Sequence, residues 1–508
     1  MKKQMKSLII GLVCVLALVG VLVALMVMPE KEEPASSSTV SAAPSTTVEL
    51  LALSMDDVAR IDVKNTESYS FEADPKAENE WIIKELEGLP KVKNAYAMMV
   101  LNACSIKAQD TIEENAADLA AYGLAKPVST VTVTLKDGTK HTVEIGNEAP
   151  GGSAYTYLKM GGDNTVYVVN TSDVKRFLQV KSDYINTELF TLASTEAVPT
   201  IMKMEISGAA HENVIKIEPA ESMVDETTTS TSDSRIGFST HVITEPKLRD
   251  ISITAFTDFV ESLFYTTVES IEAYNVTDAD LAQYGLDNPY VCVRASYQET
   301  VTDAATGAAS TKNGYINFRA SEMAADGTFY LMYDEVPVVY KAYINDPESK
   351  LTYDWLNVKY KDIVSRLFIL PVINGLDAVT VEIPDGEYVF DLTLVGEGTD
   401  DQKLNVHYNG KALDEKVFKK FYQVLIGATA EDVIVEEVSV GEPLATFTYK
   451  YVDKTHADDV ISFYEGPARQ VYVSINGDVE FTTRSIYIDK VYDSVAKVIE
   501  NIEVNPNW

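Results

Sequence analysis

The decapeptides "DLAAYGLAKP" at residues 118–127 and "DLAQYGLDNP" at residues 280–289 occur in one chain, 162 positions apart. In each, a short run of helix-forming residues ends at a glycine, Gly123 or Gly285, whose tolerance of positive φ suits a helix C-terminus. The proline four residues later keeps the helix from resuming and leads into an extended strand. The two decapeptides therefore predict a repeated structural turn rather than two ligand sites.

Local chemistry assigns a structural role to most other positions of these turns. A leucine after the glycine is expected to pack against the leucine five positions earlier, as in a Schellman motif. A polar residue placed three positions before an aspartate resembles a capping box at the helix start. The predicted pairs are Leu124 with Leu119, Leu286 with Leu281, Thr277 with Asp280, and Asn115 with Asp118.

The tyrosines Tyr122 and Tyr284 have no role in this turn chemistry. We expect them to pack over the following hairpin, with a contact surface as the alternative. A third version of the turn keeps only Gly441 and Pro443 and is degenerate.

The surrounding sequence repeats in the same order. Short alternating strands, a helix, the turn and further strands recur three times, which predicts tandem antiparallel α+β domains at 51–190, 195–350 and 365–504. The helices are predicted at 94–106, 256–274 and 416–437, and Asp137-Gly138 predicts a hairpin turn.

The joins between the domains also look alike. "DYINTELFTLASTEAVPTI" (183–201) resembles "DWLNVKYKDIVSRLFILPVI" (354–373). Residues 225–234 and 302–311 are low-complexity insertions, predicted to be mobile loops of the second copy.

The N-terminus predicts a membrane anchor. Residues 8–28 are uncharged and apolar, about the length that a helix needs to cross the hydrocarbon core of a bilayer. Three lysines in the tail 1–7 place that tail in the cytoplasm and the rest of the chain outside. The Pro/Ser/Thr-rich residues 29–50 predict a flexible stalk. A cleaved signal peptide is the alternative, but the apolar run is longer than such peptides need.

Composition excludes several classes of protein. The 508 residues, 46% apolar and 23% charged, are those of a globular protein of about three domains. The formal net charge is −35, and all 77 acidic residues follow the N-terminal lysines. So acidic a body should repel nucleic acid. Cys104 and Cys292 lie in apolar runs, and we expect two free buried thiols.

The chain resembles a known family in the segments "LSMDDVARIDVKN", "ADLAAYGLAKPVSTVTVTLKDGTKHTVEIGN" and "TVYVVNTSDVKRFL". These are similar to the bacterial domain of unknown function DUF4340, with its "YGLxxP" turn and its initial membrane helix. The resemblance is good over 50–190, recognisable over 195–350 and faint over 365–504. It implies a surface-anchored protein associated with ABC-type transporter components or gliding-type auxiliary complexes, and it carries over no catalytic residue.

Catalytic and metal-binding motifs are incomplete. Ser172 with Lys175 and Ser494 with Lys497 match S-x-x-K, but Lys454-Thr455-His456 lacks the glycine of the partner K-T-G motif. The five histidines (His141, His211, His241, His407 and His456) are scattered, and "HADD" (456–459) is expected to be a solvated turn. We therefore predict no catalytic, cofactor or metal residue.

These observations predict a non-enzymatic, membrane-anchored, extracytoplasmic accessory or scaffold protein, with the membrane and ABC-type transporter subunits as its partners. A binding module for cell-wall glycan or an exported polymer is the alternative, because tyrosine-rich strands such as "SAYTYLKM" could line a binding face. An extracytoplasmic serine hydrolase is the third hypothesis.

Overall fold

A computed structural model describes residues 47–77, 80–150, 154–190, 192, 198–220, 239–302, 306–346, 349–399 and 401–507. The predicted membrane helix, most of the predicted stalk and the insertion at 225–234 lie outside these residues. No helix among the described residues has the length and apolar character needed to cross a membrane.

Most of the described chain forms antiparallel sheets with a few helices, so the α+β class is confirmed at this level. We call the three large sheets, with their helices, the first, second and third units. The helices are α1 (Ala95–Cys104), α2 (Thr171–Val174), α3 (Ile253–Phe264), α4 (Tyr360–Ile363), α5 (Glu415–Ile426) and α6 (Ile486–Val498).

The first unit has an eight-stranded sheet and a separate two-stranded pair. The pair consists of β1 (Val48–Ala52) and β5 (Ser105–Ala108). The sheet has the order β4-β3-β2-β7-β8-β9-β10-β6. Its strands are β2 (Val58–Lys64), β3 (Ser68–Ala73), β4 (Trp81–Ile82), β6 (Asp110–Glu113), β7 (Ser129–Leu135), β8 (Lys140–Glu148), β9 (Tyr155–Met160) and β10 (Val166–Asn170).

The second unit has nine strands in the order β14-β13-β12-β11-β16-β17-β18-β19-β15. They are β11 (Thr200–Ser207), β12 (Ile215–Pro219), β13 (His241–Glu245), β14 (Arg249–Asp250), β15 (Thr266–Tyr274), β16 (Val291–Thr302), β17 (Ala309–Ala320), β18 (Thr328–Tyr333) and β19 (Val338–Ile344). Because β16 and β17 pair over twelve residues, part of the predicted loop at 302–311 is strand instead.

The third unit also has nine strands, in the order β23-β22-β21-β20-β25-β26-β27-β28-β24. They are β20 (Leu376–Ile383), β21 (Gly386–Val395), β22 (Lys403–Tyr408), β23 (Lys411–Leu413), β24 (Asp432–Val433), β25 (Ala445–Tyr451), β26 (Asp459–Glu465), β27 (Gln470–Ile475) and β28 (Asp478–Arg484).

The three sheets share one path of the chain. The first strand of each sheet (β2, β11 or β20) pairs with the strand after the turn (β7, β16 or β25), and a strand between the long helix and the turn (β6, β15 or β24) lies at the far edge beside the last strand. One continuous cluster of buried apolar side chains includes residues of all three units, among them Phe71, Phe318 and Phe447.

The second and third long helices are shorter than predicted. The helix predicted at 256–274 ends at Phe264, and the next residues form β15 because Thr266, Thr267 and Val268 are β-branched and pair with β19. The helix predicted at 416–437 ends at Ile426, before Gly427. In both cases the apolar residues of the helix are soon followed by those of a strand, and composition alone does not show where the helix ends.

Both decapeptides form the predicted turn. Gly123 and Gly285 lie at φ +71° and +66°, and each ends a short 3₁₀ helix. The N–H of Leu124 donates to the carbonyl of Leu119 (2.9 Å), and that of Leu286 donates to the carbonyl of Leu281 (3.1 Å), which is the long hydrogen bond of a Schellman motif.

The two helix starts differ. Asp280 accepts the N–H of Thr277 at 2.8 Å, as predicted. In the first turn the N-cap is Asp118, which accepts the N–H of Ala120 at 3.0 Å, whereas Asn115 lies earlier with positive φ. The predicted Asn115 cap is therefore wrong. Gly441 has no positive φ, in keeping with a degenerate third copy.

Candidate functional site

The two connections between the units begin with the same local structure. Residues 180–186 and 359–365 are called here the first and second outgoing segments. Each opens with a single helical turn, in which the N–H before the turn donates to an aspartate three residues on. These bonds are Val180 to Asp183 (2.8 Å) and Lys359 to Asp362 (2.9 Å).

After this turn, each outgoing segment pairs with the backbone that precedes the long helix of its own unit. In the first, Val92 donates to the carbonyl of Tyr184 (3.1 Å) and Asn186 donates to that of Pro90 (2.7 Å). In the second, Ser252 donates to the carbonyl of Ile363 (2.7 Å) and Ser365 to that of Asp250 (2.8 Å). The central residues of the two antiparallel bridges are Ile185 and Val364, both only 1% exposed.

This pairing establishes the register of the two joins. Asp183 corresponds to Asp362, and Asp354 does not take that position. The shared pattern is aspartate, an apolar residue, a β-branched residue and a small polar residue, as "DYIN" and "DIVS". Trp355 is buried against Phe318 and Phe329 of the second unit.

The second outgoing segment continues directly into the third unit. Leu367 forms an antiparallel bridge with Thr429, and the N–H of Ala430 donates to the carbonyl of Arg366 at 2.8 Å. One short stretch of chain therefore links the backbone before α3 to the backbone after α5.

A buried ion pair lies across the same joint. Arg249 of β14 and Glu480 of β28 are 3.0 Å apart, and their side chains are 4% and 1% exposed. The guanidinium also lies 5.7 Å from the ring of Phe481. Two charges taken out of water are stable only when they remain paired, so this contact is sensitive to the relative position of the two sheets.

A cavity of about 220 Å³ opens beside this joint. It is lined by the turn between β11 and β12, by Pro246 and by the start of α4. Its polar residues are His211, Glu212, Asn213, Lys359, Tyr360 and Lys361. Lys359 donates to the hydroxyl of Tyr290 at 3.1 Å and lies over that ring.

His211 is the residue of this cavity whose titration is most perturbed. Burial, together with the positive charge of Lys359, lowers the pKa of His211 to about 4. Its Nε2 is buried and makes no hydrogen bond to the described residues. The cavity thus combines a neutral imidazole with ammonium groups, a set that suits a small anionic or hydrogen-bonding ligand and supplies no nucleophile with its base.

The S-x-x-K candidates are not brought together in a catalytic arrangement. Ser172 is exposed and donates to Asp173 at 3.2 Å. Ser494 is fully buried in α6, whereas Lys497 is half-buried and its ammonium donates to Asp493 at 2.7 Å. The serine of the second pair is therefore enclosed in the core, while its lysine is bonded to another residue.

The histidines lie apart in the described chain. His241 is buried, with Nε2 2.8 Å from the carbonyl of Ile201. His456, in the turn between β25 and β26, stacks on Tyr451, whose hydroxyl donates to Asp459 at 2.7 Å. Within the described ranges, no group of three His, Cys, Asp or Glu side chains is placed to hold a metal ion.

The turn tyrosines and the cysteines have structural surroundings. Tyr122 packs edge-on against Tyr157 (4.9 Å between centroids), and Tyr284 packs in the same way on Tyr330 (5.2 Å). Among the described residues, the free cysteines are Cys104, which is buried, and Cys292, which is half-buried. Burial raises the pKa of the Cys104 thiol to about 11, so that thiol is unreactive near neutral pH.

Sequence reasoning missed the ion pair, the cavity and the register of the joint. Arg249 and Glu480 are 231 positions apart and carry no local signal. The register could have been found from the spacing of Asp183 and Asp362 to the β-branched residues that follow them.

The DUF4340 family model, described as a domain of unknown function, matches residues 81–289. The predicted resemblance is thereby confirmed over this range, which runs from β4 of the first unit to the end of the second turn. Comparisons with curated proteins and with solved structures found no match.

Proposed function

We propose, from the DUF4340 domain carried by residues 81–289, that this chain is a membrane-anchored extracytoplasmic accessory protein that acts by contact and without turnover. In this proposal residues 8–28 hold the chain in the membrane, residues 29–50 act as a stalk, and the three units are tandem copies of one domain. The partner is an ABC-type transporter or a gliding-type auxiliary complex.

The repeated joint carries the proposal. Both outgoing segments are fixed by the same two backbone hydrogen bonds and by one buried β-branched residue, and the second joint also contains the Arg249–Glu480 pair. The hydrogen bonds fix each segment to the unit that it leaves, and the Leu367–Thr429 bridge with the Arg249–Glu480 pair holds the second and third units together. Such rigidity is useful to a scaffold that must present several surfaces at once, and it has no evident use for three independent catalytic domains.

The acidic surface gives the contact its charge preference. With a net charge of −35, the chain favours partners that present basic surfaces, and it disfavours nucleic acid. A permease with basic extracytoplasmic loops fits this requirement.

Crosslinking in intact cells tests the proposal. Gentle detergent extraction after crosslinking should recover ABC-type membrane subunits, and replacing residues 8–28 with an unrelated membrane helix should preserve that recovery. Val364→Asp, which places a charge in the second joint, should reduce the recovery. Val372→Asp, at a site 71% exposed, is the matched control and should not.

Two results would contradict this function. Protease added to intact cells should remove the large body and leave a small membrane stub, so protection of the whole chain would overturn the extracytoplasmic location. Crosslinking that recovers no transporter subunit, even with the joints intact, would overturn the association.

A glycan-binding function is the second candidate, and one observation favours it. Tyr315 is 63% exposed on the second sheet, next to a shallow cavity of about 330 Å³ that is also lined by Lys203, Arg294 and Asp334. An exposed aromatic ring with neighbouring polar groups is a common platform for sugars. Pelleting with purified peptidoglycan, lost on Tyr315→Ala and retained on Val452→Ala, at a site 60% exposed, would support this alternative.

A further inference from the structure

The third unit contains the edge at which the first two units bind their outgoing segments. In the second unit, this edge ends at Ser252, the N-cap of α3, whose N–H donates to the carbonyl of Ile363. In the third unit the corresponding residue is Asp414, the N-cap of α5, directly after β23. In the described part of the chain, β23 is the last strand on its side of the sheet, and β22 is its partner.

A side chain makes one of the hydrogen bonds at this edge that a neighbouring strand would make. The N–H of Asp414 donates to the amide oxygen of Asn501 at 2.8 Å, where the second unit uses a backbone carbonyl. Glu415, the next residue, also lies at this edge. The ammonium of Lys419, 2.6 Å away, lowers the pKa of Glu415.

The chain does not continue along this edge. After α6 it turns at Asn501, which has φ +56°, and Glu503 then bonds Lys420 on α5. Val504 is buried in the core. The described residues after α6 therefore leave β23 and follow α5 instead.

A groove remains beside the edge. Its volume is about 690 Å³, within the usual range of ligand-binding clefts. It is lined by the outer part of β22, the end of β23 and the start of α5, including Leu404, His407, Ala412, Leu413, Lys416 and Asn501.

We propose that this groove, with β23 as its floor, is a docking site for an extended segment of a partner protein, which adds to the sheet as an antiparallel strand. The inference rests on the proposed contact function and specifies the kind of partner. The occupant carries an apolar residue, a central Ile or Val and a small polar residue after an aspartate, because both outgoing segments have this pattern at the corresponding edges. Its backbone takes the N–H of Asp414 from Asn501 and donates to the carbonyl of Ala412.

The observed contacts favour a strand over a small molecule. Two of the three equivalent edges are occupied by extended backbone, and in both the central side chain, Ile185 or Val364, is only 1% exposed. The third edge is covered by the exposed Asn501 and the partly exposed Glu415, which an incoming backbone can displace without unfolding an element.

Peptides copied from the chain itself are the probes. Labelled peptides with the sequences of residues 180–188 ("VKSDYINTE") and 359–367 ("KYKDIVSRL") are titrated with the purified full-length protein in detergent, and binding is followed by fluorescence anisotropy. Both should bind saturably. Binding should be lost when the central Ile or Val of the peptide is replaced by Asp, or when the next backbone nitrogen is methylated.

Asn501→Ala tests whether the edge binds a strand or is only covered by the side chain of Asn501. Removing this competitor frees the N–H of Asp414, so the peptides should bind about three- to tenfold more tightly, the value of one exchanged hydrogen bond. Asn505→Ala, in the same exposed tail, is the control and should leave the affinity unchanged. Hydrogen exchange should show new protection at residues 411–414 on peptide binding.

Three results would overturn the proposal. They are no saturable binding up to about 1 mM peptide, an unchanged or weaker affinity in Asn501→Ala, and new protection at residues 90–92 or 250–252, which would mean that the peptides replace the existing joints. Because the assay uses purified protein, peptide binding with no transporter subunit crosslinked in cells would support this docking edge and contradict only the proposed association.

Discussion

The two turn glycines allow a matched test of how the first and second units are built. Gly123→Ala and Gly285→Ala make the same chemical change at nearly the same φ, +71° and +66°. An alanine at positive φ costs about 1 kcal/mol relative to glycine. The surroundings differ, because a Cβ on Gly123 would lie 2.3 Å from Oδ1 and 2.8 Å from the backbone nitrogen of Asn147. On Gly285 the nearest atom is Cβ of Ser321, at 3.6 Å.

The difference between the two variants follows from these distances. Gly285→Ala should cost only the backbone term, about 1 kcal/mol. Gly123→Ala should add the cost of overpacking, about 1–3 kcal/mol, because a backbone nitrogen cannot move aside as a flexible side chain can. We therefore expect Gly123→Ala to destabilise its unit by about 2–4 kcal/mol.

Native-state hydrogen exchange is the suitable assay, because a chain of several units does not unfold in one two-state step. Opening free energies are compared for amides of β8 in the first unit and β17 in the second. Adding Asn147→Gly to Gly123→Ala removes the side-chain contacts and leaves the backbone one, so it should restore part of the loss. An equal cost for both glycine variants, or no rescue by Asn147→Gly, would show that the contact with Asn147 does not add an overpacking cost at Gly123.

Further predictions concern the buried pair, the cavity and the turn. Glu480→Gln removes the carboxylate that pairs with the buried Arg249 and should lower the opening free energy of β28 amides by about 3–5 kcal/mol in native-state hydrogen exchange, whereas Arg249→Met with Glu480→Leu should be near neutral. Burial lowers the pKa of His211 to about 4 from an unfolded value near 6.5, so stability is complete above pH 6.5 and is lost as the pH falls through 4. His211→Gln should remove this acid-side slope, and His456→Gln should keep it. Leu124→Ala should lower the opening free energy of β8 amides by about 2–3 kcal/mol in the same assay, because Leu124 is 2% exposed; a loss below about 0.5 kcal/mol would contradict its packing role.

The features that could be predicted from the sequence are the local ones. The alternating stretches "VARIDVK" and "SYSFEA" form β2 and β3, because alternation and flanking turn residues act within a few positions. The Schellman turns at Gly123 and Gly285 depend on hydrogen bonds five residues apart, and they too were predictable. The ends of α3 and α5 were not, because apolar periodicity does not indicate where a helix gives way to a buried strand.

The candidate site could not be predicted because its contacts join distant parts of the chain. His211 contributes to the cavity only when the turn between β11 and β12 meets α4, and sequence gives no signal for that meeting. The predicted resemblance of the joins did not include their register. Asp183 and Asp354 both precede a large aromatic residue, but the hydrogen bonds show that Asp183 corresponds to Asp362, three residues after the N–H that it accepts.

The extent of the family match bears on what the repeating unit is. The match begins in β4 of the first unit and ends at Pro289, so it includes both complete turns and the first outgoing segment with its partner backbone at residues 90–92. A domain boundary drawn near residue 190 would leave that joint at the end of a unit. The family model instead includes the joint in the matched region, as it includes the "YGLxxP" turn. If the joint belongs to the domain, each copy has its own edge for an outgoing strand, and an edge such as that of β23 is a binding surface that the domain carries wherever the chain does not fill it.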